Sequence, residues 1–244
     1  MSKKKARPVR PLGRSVRGNR RVNVRGGTAE IFEGEPLGPG MTRADDATLF
    51  AAMNRVDPDR PWTKARADVL PMLPRVRPYP FPIDPVRIML PPGILVGFGV
   101  DIGPALTMVD GDQLKRWGVG VETVAEQALA NVRDGAARCD PDLVVREPID
   151  GVPVLALQTG AGIAASMLLA PETVGRFFGP GPLLLLAPMR DLLIGLPASV
   201  DHAFAAWLAE EWEALDPNHL HLGGWRFASG TVSPVTIDDA YATA

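Results

Sequence analysis

The sequence VETVAEQALANV at residues 121–132 contains the clearest structural pattern of this chain. Its apolar residues fall at i, i+3, i+4, i+7, i+8 and i+11, and they are Val121, Val124, Ala125, Ala128, Leu129 and Val132. This spacing places all six on one face of an α-helix, with polar residues such as Glu122 and Glu126 opposite. The pattern predicts an amphipathic helix that packs on other elements through one apolar stripe.

Short apolar segments flank this helix on both sides, and their length is typical of strands. Turn residues join several of them, for example Ile149-Asp150-Gly151 and Ser229-Gly230. The predicted strands cover residues 94–100, 105–109, 143–146, 152–159, 183–187 and 192–196, with a final hairpin in 219–237. Together with the helix they predict an α+β fold with a mixed or antiparallel sheet.

Further short helices are predicted from their start signals. Asp110 and Gln113 have the spacing of a capping box before Leu114, and Pro171 is suited to the first position of a helix over 172–178. Ser199 is predicted to cap a helix that runs to about residue 215, with Asp201 in its first turn. A short helix is also expected over residues 161–169.

The chain divides into three segments by composition. Residues 1–40 have no apolar periodicity and bury too little apolar surface to offset their ordering entropy, so a disordered basic arm is predicted. Residues 41–92 predict a short helix over 42–56 and then a proline-rich strap over 69–92, because prolines exclude helix interiors and central strands. Tyr79 and Phe81 alternate with prolines in this strap, which is also typical of a polyproline II ligand. Residues 93–244 form the α+β domain.

Composition excludes some classes of protein. Cys139 is the single cysteine, so no disulfide can form within the chain. No apolar run approaches the length of about 18 residues that a membrane-spanning helix needs. We therefore expect a cytoplasmic protein without a transmembrane segment, in which Cys139 is a structural thiol.

The net charge of −2 is the sum of a strongly basic N-terminal segment and an acidic remainder. Residues 1–26 contain ten basic residues and no acid, so the other 218 residues carry 16 basic and 28 acidic groups, a net charge of −12. A cluster of this kind predicts contact with an anionic partner, either nucleic acid or an acidic protein. The predicted contact residues are Lys3, Lys4, Lys5, Arg7, Arg10, Arg14, Arg17, Arg20, Arg21 and Arg25.

Residues 152–165 match the order strand, then G-x-G-x-x-A, then helix, with glycines Gly160 and Gly162. Such glycines let a backbone approach a pyrophosphate at a helix N-terminus. However, Pro171 ends the following helix early, and no acidic residue closes the next strand about 20 residues on. Small residues that pack a short helix on a sheet explain the run equally well, so no dinucleotide or other cofactor is predicted.

Two other groups of residues are candidates for a site. Arg190 and Asp191 follow a buried apolar segment, where a charged pair can line a pocket or form an ordinary ion pair. We therefore place a possible pocket at Gly160, Gly162, Arg190 and Asp191. His219 and His221 alternate on a predicted strand, but two ligands do not make a zinc site, so no metal site is predicted.

Four segments carry a resemblance to a known family: GDQLKRWGV at 111–119, ALANV at 128–132, LAPMRD at 186–191 and DPNHL at 216–220. Through them the chain resembles the YtpQ-like family of bacterial proteins over roughly residues 94–227. The resemblance implies a bacterial cytosolic α+β domain, and it supplies no catalytic residues.

These observations predict a non-catalytic binding or adaptor protein whose basic arm contacts an anionic partner. The alternative is a hydrolase or nucleotide-using enzyme with its site near Gly160–Ala165 and Arg190-Asp191.

Overall fold

The computed structural model describes residues 20–25, 28–33, 51–52, 54, 56–74, 85–103, 105–216, 219–220 and 223–237. Every strand pair is antiparallel, and the strands alternate with helices along the chain. The predicted α+β class with an antiparallel sheet is therefore confirmed. Most of the predicted helix over 42–56 lies outside the described residues.

Two strands lie within the predicted arm. β1 (Arg20–Arg25) and β2 (Thr28–Glu33) form an antiparallel hairpin in which Val22 pairs with Ile31 and Val24 with Ala29. β-branched residues at alternate positions favour a strand. This hairpin was not predicted from the sequence, and the rest of residues 1–40 lies outside the described residues.

The first core sheet has four strands. β3 (Val69–Met72), β4 (Arg87–Leu90) and β6 (Leu106–Met108) all pair with the central strand β5 (Ile94–Asp101). The prediction that residues 69–92 form only a strap is wrong at β3 and β4. Proline is tolerated on edge strands, and Pro71 lies on one. Residues 75–84, which include Tyr79 and Phe81, lie outside the described residues.

Two short helices and one long helix pack beside this sheet. α1 (Trp62–Ala65) contacts α2 (Gly111–Trp117) through the rings of Trp62 and Trp117, whose centroids are 5.2 Å apart. Asp110 caps α2 by accepting a hydrogen bond from the amide of Gln113 at 2.7 Å, as predicted.

The long helix is α3 (Val121–Arg138), and it contains the stretch that predicted the fold. Its buried residues are Val124, Ala125, Ala128, Val132 and Ala136. The Asn131 side-chain amide donates hydrogen bonds to the carbonyls of Arg66 and Val69, each at 2.8 Å. These bonds attach α3 to the start of β3.

The second core sheet has six strands in the order β12-β11-β9-β10-β8-β7. They are β7 (Val144–Ile149), β8 (Val152–Leu157), β9 (Leu183–Met189), β10 (Leu192–Pro197), β11 (Gly224–Ala228) and β12 (Thr231–Val235). The final hairpin turns at Ser229 and Gly230, as predicted, and both residues have positive φ.

Two helix predictions over this part of the chain need correction. Residues 160–164 form a loop, and the helix after it is a 3₁₀ helix limited to Ala165–Leu169. The next helix, α4 (Pro171–Phe178), begins at the predicted proline. α5 (His202–Glu213) is capped by Asp201 rather than Ser199, because the Asp201 carboxylate accepts from the amide of Ala203 at 3.0 Å.

Each face of the six-stranded sheet has its own hydrophobic cluster. On one face the sheet packs with α3, α4, the 3₁₀ helix and residues of the four-stranded sheet. On the other face α5 packs through Ala205, Leu208 and Trp212. The first cluster contains residues of β3, which lies in the predicted strap, and residues of the predicted domain over 93–244, as far as Phe227. The described part of the strap and the domain therefore share one hydrophobic core.

Candidate functional site

The residues of the possible pocket lie together at one end of the six-stranded sheet. Arg190 and Asp191 form the turn of the β9–β10 hairpin, and Gly160 and Gly162 lie in the loop that follows β8. Because β8 and β10 are neighbours in the sheet, the loop and the turn meet. Pairing of the strands therefore brings together groups that lie about 30 positions apart in sequence.

The carboxylate of Asp191 is fully buried and points into the loop. It accepts a hydrogen bond from the Gly160 amide at 2.7 Å and one from the Ala164 amide at 3.2 Å. It also accepts a short hydrogen bond from the hydroxyl of Thr159. Three donors thus compensate a buried charge that would otherwise be costly to desolvate.

Thr159 organises the remaining amides of the loop. Its hydroxyl oxygen accepts from the Ala161 amide at 3.2 Å and, more distantly, from the Ile163 amide at 3.5 Å. The Ala165 amide donates to the carbonyl of Arg190 at 3.1 Å. Five amides of residues 160–165 therefore donate to groups of the protein itself.

Arg190 holds the outer side of the same loop. Its Nε donates to the carbonyl of Gly162 at 3.0 Å, and one terminal nitrogen lies 3.9 Å from the carboxylate of Asp101. Gly162 has a φ of +70°, and a Cβ there would lie 2.9 Å from the guanidinium carbon. Since Asp101 ends β5, Arg190 connects the loop with the four-stranded sheet.

This arrangement differs from a phosphate-binding loop in two ways. Amides that would face a pyrophosphate in a G-x-G-x-x-A loop instead surround the carboxylate of Asp191. The helix that follows is a five-residue 3₁₀ helix, too short to present the dipole of a long α-helix. The arrangement supports a structural role for Asp191 as an internal anion that fixes the loop.

Sequence reasoning identified Gly160, Gly162, Arg190 and Asp191 but missed Thr159 and Asp101. The position of Thr159 offered a signal, because a threonine hydroxyl readily accepts from the amide two residues on. No sequence signal indicated Asp101, because its approach to Arg190 depends on how the two sheets pack.

Cys139 lies at the end of α3 and is partly buried. Burial raises the pKa of its thiol, and the negative charge of Asp191 raises it further, although Arg176 and Arg138 act in the opposite direction. Arg176 also donates hydrogen bonds to the carbonyls of Ala136 and Cys139 and so caps the helix. A thiol with a raised pKa is a poor nucleophile near neutral pH.

Other predicted site residues are separate from this loop. Within the described part of the chain, no three His, Cys, Asp or Glu residues are grouped so that they could hold a metal ion. The Nδ1 of His219 lies 3.0 Å from the carbonyl of Asp216, and His221 lies outside the described residues. Of the ten basic residues of the arm, Arg20, Arg21 and Arg25 lie on β1, and the seven from Lys3 to Arg17 lie outside the described residues.

Comparison of the chain with models of protein families, with curated proteins and with solved structures finds no match. Among the described residues, no helix is both long and apolar enough to cross a membrane.

Proposed function

We propose that this protein is a non-catalytic binding protein whose basic N-terminal segment contacts the phosphates of nucleic acid without sequence selectivity. The observation that carries the proposal is the separation of charge along the chain. Ten basic residues and no acid occupy residues 1–26, and the rest of the chain has a net charge of −12. Contact with a polyanion should therefore be confined to the basic segment.

The physics of such binding is release of condensed counterions. Each phosphate neutralised by a lysine or arginine releases cations into solution, so affinity falls steeply as salt rises. Residues 1–26 contain no aromatic residue, so base stacking cannot add affinity or selectivity. The expected binding is weak, sensitive to salt and similar for different base sequences.

The surroundings of Asp191 weigh against the enzymatic alternative. A general base or nucleophile needs lone pairs that can reach a substrate, and this fully buried carboxylate instead accepts three internal hydrogen bonds. The nearby thiol of Cys139 has a raised pKa. A binding protein requires neither group to react.

The proposal places the protein in the cytoplasm, where nucleic acid is accessible and a lone thiol stays reduced. The resemblance to the YtpQ-like family agrees with a bacterial cytosolic domain. An acidic protein is the other partner that the charge pattern allows, and the experiment below separates the two.

The test is a titration of single-stranded and double-stranded oligonucleotides with the full-length chain at two salt concentrations. The logarithm of affinity should fall against the logarithm of salt by about 0.7 to 0.9 for each phosphate contact. Replacing Arg20, Arg21 and Arg25 by Gln should weaken binding and reduce this slope. A matched variant replaces three exposed cations of the folded part, Lys64, Arg66 and Arg87, and should bind as the wild type does.

Two outcomes would contradict the proposal. Equal binding by the two triple variants, or binding insensitive to salt, would show that the basic segment does not make the contact. Poly-glutamate serves as a competitor of the same charge that lacks phosphates. If poly-glutamate binds as tightly as an oligonucleotide of equal charge, an acidic protein becomes the better partner.

A further inference from the structure

The last strand of the six-stranded sheet, β7, is incompletely covered. Within the described residues it pairs only with β8, on one side. Val145 on this strand is 38% exposed, and Leu143 just before it is 40% exposed. Exposed apolar residues on an edge strand offer a surface on which another segment can pack.

The position of α5 explains why this end of the sheet is open. α5 packs against β9, and β7 lies three strand positions away, about 14 Å at a strand spacing of about 4.8 Å. A helix with its side chains has a radius of about 5 to 6 Å, so α5 does not extend over the whole of β7. Ile149 at the end of β7 packs against the α5 cluster, whereas Val145 is exposed. Val145 pairs with Ala156, which packs in the α5 cluster, so Val145 lies at the uncovered end of that face.

The N-terminal hairpin lies at this end of the sheet, because β1 is in contact with β7 without joining its hydrogen-bonded ladder. Charges of the two segments are complementary. β1 has three arginines and no acid. Residues 140–150 contain four acidic residues, Asp140, Asp142, Glu147 and Asp150, and one basic residue, Arg146, whose guanidinium donates to the carbonyls of Val144 and Phe177.

We propose that the basic hairpin of residues 20–33 docks against β7 of its own chain, beside Val145, and is held there by the acidic residues of 140–150. Docking places part of the basic segment against the folded domain. The acids of the hairpin, Glu30 and Glu33, are on β2, whereas β1 is the strand beside β7. A polyanion must then compete with the domain for Arg20, Arg21 and Arg25.

The experiment is amide hydrogen exchange of the full-length chain at low salt, without any nucleic acid, so that failure of docking is distinguishable from failure of nucleic-acid binding. Val145→Lys places a cation beside the basic strand. Exchange in residues 20–33 should accelerate by about fivefold, the change expected for one added repulsion between like charges. Met89→Lys is the matched control, because Met89 is also an exposed apolar residue on an edge strand but lies in the four-stranded sheet.

A second variant tests the contact from the other side and leaves the core sheets unaltered. Replacing Arg20, Arg21 and Arg25 by Gln should accelerate exchange at residues 144–149, and high salt should have the same effect on the wild type. Unchanged exchange in both variants, or equal acceleration in Met89→Lys, would overturn the proposal. Protection of residues 20–33 that rises with protein concentration, together with a dimer in light scattering, would assign the site to the hairpin of a second copy and would also overturn it.

Discussion

The Asp191 carboxylate and the Gly160 amide lie 2.7 Å apart, as acceptor and donor of one hydrogen bond. This bond joins the β9–β10 turn to the loop after β8, 31 residues earlier in the chain. Because Asp191 is fully buried, its carboxylate has no access to water that could replace a lost donor. We therefore expect the stability of the fold to depend on the carboxylate of Asp191.

Asp191→Asn should destabilise the protein by about 2 to 3 kcal/mol, because the new amide group places a donor against backbone donors in a buried site. Urea unfolding measures the loss. Asp201→Asn is the matched control, since Asp201 is an exposed helix cap and asparagine caps a helix as well as aspartate. Equal stability of the two variants would show that the hydrogen bonds to Asp191 contribute little.

Gly162→Ala should destabilise the protein more than Gly118→Ala does. Both glycines have similar positive φ values, +70° and +65°, so both variants carry a backbone penalty of about 1 to 2 kcal/mol. Only at Gly162 would the new Cβ meet a side chain, that of Arg190, whereas Gly118 has open space. Adding Arg190→Ala should remove the excess cost at Gly162, and a double-mutant cycle in urea measures it. Additive effects would contradict the proposed contact.

Local patterns in the sequence predicted much of the fold. The stripe from Val121 to Val132 identified α3, because helical periodicity is visible within a dozen residues. Ser229-Gly230 identified the final turn through its turn chemistry. The strand at Pro71 was not predicted, because a proline excludes a central strand but not an edge strand such as β3.

The candidate site was predictable only in part, because its contacts are long-range. Small apolar residues at 160–164 are compatible with a helix, and the actual loop is fixed by Asp191, whose hydrogen bonds cross 27 to 32 residues of chain. Pairing of β8 with β10 creates this proximity, and no local pattern encodes it. The exposure of Val145 likewise depends on where α5 packs.

Neither NAD nor ATP should raise the melting temperature of the protein. Amides of the Gly160–Ala165 loop already donate to Asp191, Thr159 and Arg190, so a pyrophosphate finds few unpaired donors there. Thermal unfolding at millimolar nucleotide measures this. A stabilisation that disappears in Gly162→Val would contradict the prediction and would restore the nucleotide-using alternative.

The ion pair between Arg133 and Glu172 should make a small contribution to stability that depends on pH. Burial is the largest single effect on Glu172 and opposes its charged form. The hydrogen bond from Arg133, a backbone hydrogen bond and the positive charge of Arg133 together outweigh burial and lower the pKa below the ordinary value of 4.5. A lowered pKa in the folded state means that the contribution is present above the unfolded pKa and is lost as pH falls through the folded pKa.

Both side chains are about half exposed, so Glu172→Gln should cost well under 1 kcal/mol at pH 7 and less at pH 3 than at pH 7. Urea unfolding at the two pH values checks this. Glu122→Gln, on the exposed first turn of α3, controls for the general effect of removing an acid. A cost for Glu172→Gln that persists unchanged at pH 3 would exclude the ion pair as its source.

Cys139 should be alkylated by iodoacetamide more slowly in the folded protein than in the same chain unfolded in urea. Only the thiolate reacts, and burial together with the negative charge of Asp191 raises the pKa of this thiol above its ordinary value of 9.0. The alkylation rate should therefore keep rising with pH up to and beyond pH 9, by about tenfold for each unit while the thiol is mostly protonated. Unfolding removes both causes of the shift, so the urea-unfolded chain provides the internal control. A folded-state rate that reaches its plateau below pH 8 would identify a lowered pKa and an activated thiol, and it would make Cys139 a candidate nucleophile.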